Sequence, residues 1–134
     1  MSSRHRIERG LRPLLLAILL LSPAACSRNR PVGIDPNQGA TIVFANESLS
    51  QAELFAVMPG VGSRKLGTIM AGRTEEIAVP PELVRRGGGL NLVARLLARS
   101  NTPGSGPITL LPGDRLSVRL PIDGRSLYVL PARS

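Results

Sequence analysis

The chain has 134 residues but no tryptophan, one tyrosine, two phenylalanines, one histidine and one cysteine. The histidine, His5, and the cysteine, Cys26, both precede residue 27. Everything after Cys26 therefore lacks an imidazole base, an imidazole metal ligand and any cysteine pair that could form an internal disulfide. Ser-His-Asp and Cys-His catalysis, histidine-held zinc or haem, and thiol exchange within the chain are excluded with them. We expect no cofactor, no metal, no catalytic residue and no enzymatic activity. Phe44, Phe55 and Tyr128 offer little for stacking nucleobases, and after the leader only Arg85-Arg86 are adjacent arginines. The pattern argues against a nucleic-acid partner.

A long apolar run is missing too. The longest is Leu14-Leu15-Leu16-Ala17-Ile18-Leu19-Leu20-Leu21, well short of the roughly 20 residues that span a bilayer core. Arg4, Arg6, Arg9 and Arg12 precede it, and Ser22-Pro23-Ala24-Ala25 follow it, ending at Cys26. A basic start, a short apolar centre and a small-residue end are the three parts of a secretory signal peptide. Basic residues stay on the cytoplasmic side while the apolar run enters the membrane. Of the 17 basic and 9 acidic residues, these four arginines and Glu8 belong to the leader. Three of the eight formal net charges therefore leave with it, and 13 basic against 8 acidic residues remain, a net charge of +5.

Ala24-Ala25-Cys26 resembles the lipobox of bacterial lipoproteins, in which the cysteine is lipidated and becomes the first mature residue. Pro23 departs from that pattern, which has an aliphatic residue three places before the cysteine. The resemblance implies lipidation of Cys26 and attachment to a membrane. Ser27 implies sorting to the outer membrane, facing the periplasm, in a bacterium with two membranes. The alternative is ordinary cleavage near Ala24 or Ala25, which releases a soluble periplasmic or secreted protein with a free thiol. The expected organisation is a signal peptide over 1–25, a lipidated cysteine and flexible tether over 26–39, and a folded domain over 40–134.

Ser27 to Gly39 is rich in Arg, Asn, Pro and Gly and has no apolar period, as a spacer would. From Ala40 onward, short apolar segments alternate with turn residues. Thr41–Ala45 is β-branched and aromatic and reads as a strand. Ala52–Met58 alternates, with Leu54, Ala56 and Met58 on one face. Pro59-Gly60-Val61-Gly62 turns into a second arm over Ser63–Ile69. Thr74–Val79 is the next strand, with Ile77 and Val79 inward and Glu76 outward. Pro80–Gly87 has prolines suited to one helical turn and a glycine suited to its exit. Leu90–Ala98 alternates at period two, although its Leu and Ala also favour a helix. Arg99–Pro107 reads as a loop by composition, the most mobile segment after the tether. Ile108–Leu111 and Arg115–Leu120 are short strands, with Pro112-Gly113 in a type II turn between them. Asp123-Gly124 signals a hairpin, and Ser126–Leu130 closes the fold.

Several segments invite a chemical reading and fail it. Gly60-Val61-Gly62-Ser63-Arg64-Lys65 lacks the spacing of a phosphate loop, and no helix signal follows. Gly87-Gly88-Gly89 precedes no helix start and reads as a connector. Asn46-Glu47-Ser48 matches a glycosylation sequon, a chance match in a bacterial lipoprotein. Glu75 and Glu76 are neighbours in a strand and point to opposite faces, so they cannot share acid–base work.

Seven or eight strands spaced 8–12 residues apart predict an all-β fold, a sandwich or a barrel, and the expectation adopted is a single small antiparallel β-sandwich of immunoglobulin-like type. The runs V-F-A-N, A-E-L-F-A-V, L-G-T-I-M-A-G-R-T and P-I-T-L-L-P-G-D-R-L-S-V-R-L resemble small immunoglobulin-like or transthyretin-like sandwiches of bacterial lipoproteins. The resemblance covers Ala40 to Leu130 and carries over no catalytic residues. It implies a lipid-anchored binding or scaffold module of the cell envelope. Its partner would be a protein or polysaccharide that contacts loops at Pro59–Lys65, Pro80–Gly89 and Ser100–Pro107. One alternative is contact of dispersed arginines with anionic lipid or lipopolysaccharide. Another is a hydrolase or enzyme accessory subunit, whose groups would come from Asp114, Glu75, Glu76 and Glu53.

Overall fold

A computed structural model describes Gly33, residues 35–86 and residues 89–131. The expected signal peptide and the lipidation site Cys26 lie outside these residues. Eight strands and one short helix follow in order: β1 (Ala40–Asn46), β2 (Ala52–Met58), β3 (Gly62–Ile69), β4 (Arg73–Val79), α1 (Pro81–Val84), β5 (Leu90–Leu96), β6 (Gly104–Ile108), β7 (Arg115–Leu120) and β8 (Tyr128–Pro131). They form two four-stranded sheets, β4-β1-β7-β8 and β3-β2-β5-β6. The fold is an all-β sandwich. Neighbouring strands are antiparallel except β1 and β7, which run parallel with Thr41 beside Arg115 and Asn46 beside Leu120. No tight turn can join parallel neighbours. Here the whole second sheet lies between them in sequence.

The period-two pattern puts one apolar set inside. Ile42, Phe44, Ile77, Val79, Val118 and Leu120 line the inner face of the first sheet. The second sheet contributes a regular mixture. Across β2 and β5, Ala52 pairs with Leu96, Leu54 with Ala94, and Ala56 with Leu92, all of them buried. Each cross-strand pair joins one small and one large side chain. The inner face therefore stays level along its length and packs densely without an aromatic.

β1 puts a polar residue at its last inward position. Asn46 is 1% exposed, and its carboxamide is fully engaged. Nδ2 donates to the carbonyls of Ser50 at 2.9 Å, Ile69 at 3.1 Å and Met70 at 3.2 Å. Oδ1 accepts from the Ser48 N–H at 3.1 Å and from its hydroxyl at 2.6 Å. The sequon Asn46-Glu47-Ser48 is thus a structural joint, and its buried Nδ2 is closed to a glycan in the folded protein.

The structure shifts several expected boundaries. Gly104–Pro107 was expected in a loop but, with Ile108, forms β6, the edge strand beside β5. A glycine- and proline-rich strand is tolerated at an edge, where half the backbone groups need no partner. The pairing is irregular there, and the Ser105 hydroxyl accepts the Leu92 N–H at 3.0 Å. Of the strand expected over Ile108–Leu111, only Ile108 belongs to one. Leu110 instead is buried where the chain crosses between sheets. β5 stops at Leu96, leaving Ala98 exposed. In β3, Leu66 is the extra residue of a bulge opposite Leu54 and Phe55 and leans on the core.

The end of the expected tether is fastened down. Asn37 N donates to Asp35 Oδ1 at 2.8 Å, Arg85 to Asn37 Oδ1 at 3.1 Å, and Gly113 N to Gly39 O at 2.8 Å. The last of these bonds comes from the expected turn at Pro112-Gly113, where Asp114 N donates to Leu111 O at 3.0 Å and Gly113 has φ +83°.

Asn46→Ala is expected to lower unfolding free energy by about 2–4 kcal/mol, since it strands buried carbonyls. Asn37→Ala, which loses one exposed bond, should stay within about 0.5 kcal/mol. Urea unfolding of both variants checks this; equal midpoints would mean that the Asn46 amide holds nothing together.

Candidate functional site

Strand direction sorts the loops onto two ends. β1 starts beside the tether and runs away from it. β4 returns from Arg73 to Val79, opposite Ala40. β7 starts beside Thr41 and β8 ends beside Leu116, both at the tether end. That end therefore carries Asp35–Gly39, the β2–β3 turn, α1 and the crossing at 109–114. The opposite end carries the connections 47–51, 70–72, 97–103 and 121–127.

The three loops expected to form a contact surface are split by this arrangement. Pro59–Lys65 and the described part of Pro80–Gly89 lie at the tether end. Ser100–Pro103 lies at the opposite end, and Gly104–Pro107 belongs to β6. The expected acidic groups do not assemble either. Glu53 sits on the outer face of the second sheet, bridging Lys65 at 2.7 Å and Arg95 at 3.4 Å. Glu76 pairs with Arg115 on the outer face of the first sheet. Glu75, one residue away, has the opposite facing and is exposed at the edge. Asp114 accepts the Leu111 N–H at 2.8 Å within its own turn. Among the described residues, no three histidine, cysteine, aspartate or glutamate side chains come close enough to hold a metal ion. No described helix is long and apolar enough to cross a membrane.

The end opposite the tether has the most developed surface. Its four connections are joined by hydrogen bonds. The Asn46 amide ties 47–51 to 69–70. Leu97 N donates to Gln51 O at 3.0 Å, and Glu47 N to Leu120 O at 2.8 Å. Asn101 Nδ2 donates to Gly124 O at 2.6 Å, and Arg99 to the neighbouring Asp123 carbonyl. Gly124, at φ +62°, has no room for a side chain, because a Cβ would lie 2.8 Å from Leu96 Cδ1. The expected Asp123-Gly124 hairpin is thus a seven-residue loop seated on β5 and the 97–103 connection.

Each of these connections also holds one large apolar side chain in solvent, from 55% exposed for Met70 to 78% for Leu49, with Leu97 at 71% and Ile122 at 62%. None was marked from the sequence as a contact residue. Their common signal is weak: single apolar residues in turn segments, as in Ser48-Leu49-Ser50 and Pro121-Ile122-Asp123-Gly124.

Two open recesses lie on the sheet faces. One of about 300 Å³ is lined by Arg119, Pro121, Tyr128 and Leu130. The other, of about 220 Å³, has Phe55, Val57 and Val93 as its apolar lining and Arg95, Ser63 and Thr102 around them. Neither contains an acid–base pair.

No protein-family model matches the chain, and no curated protein is significantly similar to it.

Three surface carboxylates are shifted. Hydrogen bonding to Lys65 holds Glu53 below the usual glutamate range, and hydrogen bonding to Arg115 does the same for Glu76. Glu82 is lowered first by its own backbone N–H and then by Arg64. A depressed folded-state pKa adds stability above the unfolded value, near 4.5, which is lost as pH falls through the folded value. Stability should therefore be flat from pH 6 to 8 and fall below about pH 4.5. Thermal unfolding against pH checks this. The triple variant Glu53→Gln, Glu76→Gln, Glu82→Gln should show a shallower acid slope, and an unchanged slope would mean that these pairs are not formed in solution.

Proposed function

We propose that this chain is a lipid-anchored, non-catalytic binding module of the cell envelope. In this reading it is attached to a membrane through Cys26 and engages an envelope partner by surface contact. The observation that carries it is polarity: the tether is fastened at one end, and each of the four connections at the other holds a large exposed apolar side chain, Leu49, Met70, Leu97 or Ile122. Such an arrangement suits a module that is held at one end and works at the other. The leader, with Ala24-Ala25-Cys26 at its end and Ser27 after it, supports anchoring at the outer membrane on the periplasmic side.

The charge distribution supports contact with a protein or polysaccharide over the electrostatic alternative. Arg64, Lys65, Arg95, Arg115 and Arg119 are in ion pairs with Glu82, Glu53, Glu76 and Glu47, spread over both sheets. On the described sheet faces, the only extended surfaces a lipid layer could lie against, these pairs leave no uniformly basic face. The scattered carboxylates likewise give the hydrolase reading no paired acid and base. Strand order departs from the antibody constant-type arrangement. The antibody constant-type sandwich keeps its first two strands in one sheet, whereas β1 and β2 here lie in opposite sheets.

The intact mass of the processed protein from its native host tests the anchor. It should correspond to a chain starting at Cys26 and carrying a diacylglyceryl group and a fatty-acyl chain. Cys26→Ser should lose both the added mass and the membrane association. An unlipidated mature chain in the soluble fraction would defeat the anchored reading.

A further inference from the structure

We propose that the end opposite the tether is a protein-docking surface, and that its partner presents apolar recesses bordered by carboxylates. This deepens the reading of the chain as an anchored module and rests on it only for the attachment point at Cys26.

The first observation is convergence. Leu49, Met70, Leu97 and Ile122 come from four separate connections, yet all lie at one end and all are exposed. Among the described residues, the loops of the tether end have two large exposed apolar side chains, Val61 and Leu111. The second is preorganisation. The hydrogen bonds from Asn46, Leu97, Glu47, Arg99 and Asn101 fasten the four connections to one another and to the sheets. The ordering cost of binding is therefore largely met in the free protein. The third is charge. Arg73, Arg99 and Arg125 lie at the same end, within three residues of Met70, Leu97 and Ile122 in sequence, and are exposed; none is in an ion pair among the described residues. At that end Glu47 is engaged by Arg119 at 2.7 Å, which leaves Asp123 as the acid on the described loop tips. Apolar anchors and arginines on one end, with few acids, complement an apolar surface with an acidic border.

Other occupants fit less well. From Cys26 to Asp35 the chain reaches at most about 30 Å at 3.3–3.6 Å per residue. Asp35 is at the far end of the sandwich, beyond about 23 Å of seven-residue strand and the loops capping it. The tips could touch the membrane holding Cys26 only if the tether ran back along the whole domain at near full extension. A second copy packed tip to tip would set the arginine trio against its own image.

Site-specific photocrosslinking in the native host tests the proposal. A benzoylphenylalanine is placed in the full chain at Leu49, Met70, Leu97 or Ile122, with Val61 and Leu111 as controls. The expected result is the same partner protein at the four tip positions and absent from the controls. Its crosslinked peptide, mapped by mass spectrometry, should be apolar with flanking Asp or Glu. Arg73→Glu and Arg125→Glu together, neither residue's side chain being among the bonds that fasten the loops, should cut that adduct at least about tenfold, while Arg85→Glu, Arg86→Glu leave it intact. Equal urea midpoints for the two charge variants would show that the difference is not one of folding. The proposal is overturned if the tip positions give no protein adduct. Adducts with lipid or with a second copy of this chain, or an adduct indifferent to the tip arginines, overturn it as well. A tip adduct from a chain that proves unlipidated would remove the anchor and leave the docking surface standing.

Discussion

A buried carboxamide has two hydrogens to give and an oxygen that must accept, and in a sandwich this small there are few places to satisfy it. Asn46 does so where β1 leaves the first sheet. Its donors reach Ser50 on the way into β2 and Ile69 and Met70 on the way out of β3, while its oxygen holds Ser48. One side chain thereby closes the gap between the sheets at the end where four connections meet. Leaving any of these groups unpaired in the interior costs about 1–3 kcal/mol. The connections are thus held in one arrangement, and the positions of Leu49 and Met70 follow from it.

The layered fold was legible in the sequence because most strands have one buried and one solvated face. Ile42 and Phe44, Leu54 and Ala56, Ile77 and Val79, and Val118 and Leu120 alternate with polar or half-buried neighbours, and the structure buries each of them. β6 was hidden because Gly104-Ser105-Gly106-Pro107 has no apolar side chain to alternate. Its place is set by β5, through the Leu92 and Ala94 N–H groups. The parallel pairing of β1 with β7 was hidden for a different reason: strand order is a long-range property that local alternation does not encode. Within the candidate site, the hairpin at Asp123-Gly124 was legible. Asn46 was read only as a chance sequon, because burial and partners across the sandwich leave no mark in a three-residue pattern.

Four glutamates are taken up by cations on both sheets. Exposed ion pairs of this kind are each worth little in stability. In the proposed docking role their larger effect would be on specificity: they pair charge on the sheet faces, so that the arginines of the loop end and the aliphatic side chains near them in sequence would give a partner shape and charge to read together.

The parallel pairing of β1 and β7 bears on when the domain can exist at all. β1 is the first described strand, yet one of its two neighbours is Arg115–Leu120, with five other strands between them in sequence. Contacts between segments so distant in sequence close late and slowly. The β2–β3 hairpin can form from a short stretch of chain, but β1 keeps one edge unpaired until β7 is in place. Were the chain exported in extended form, as the proposed anchoring requires, this topology would delay folding until β7 had crossed.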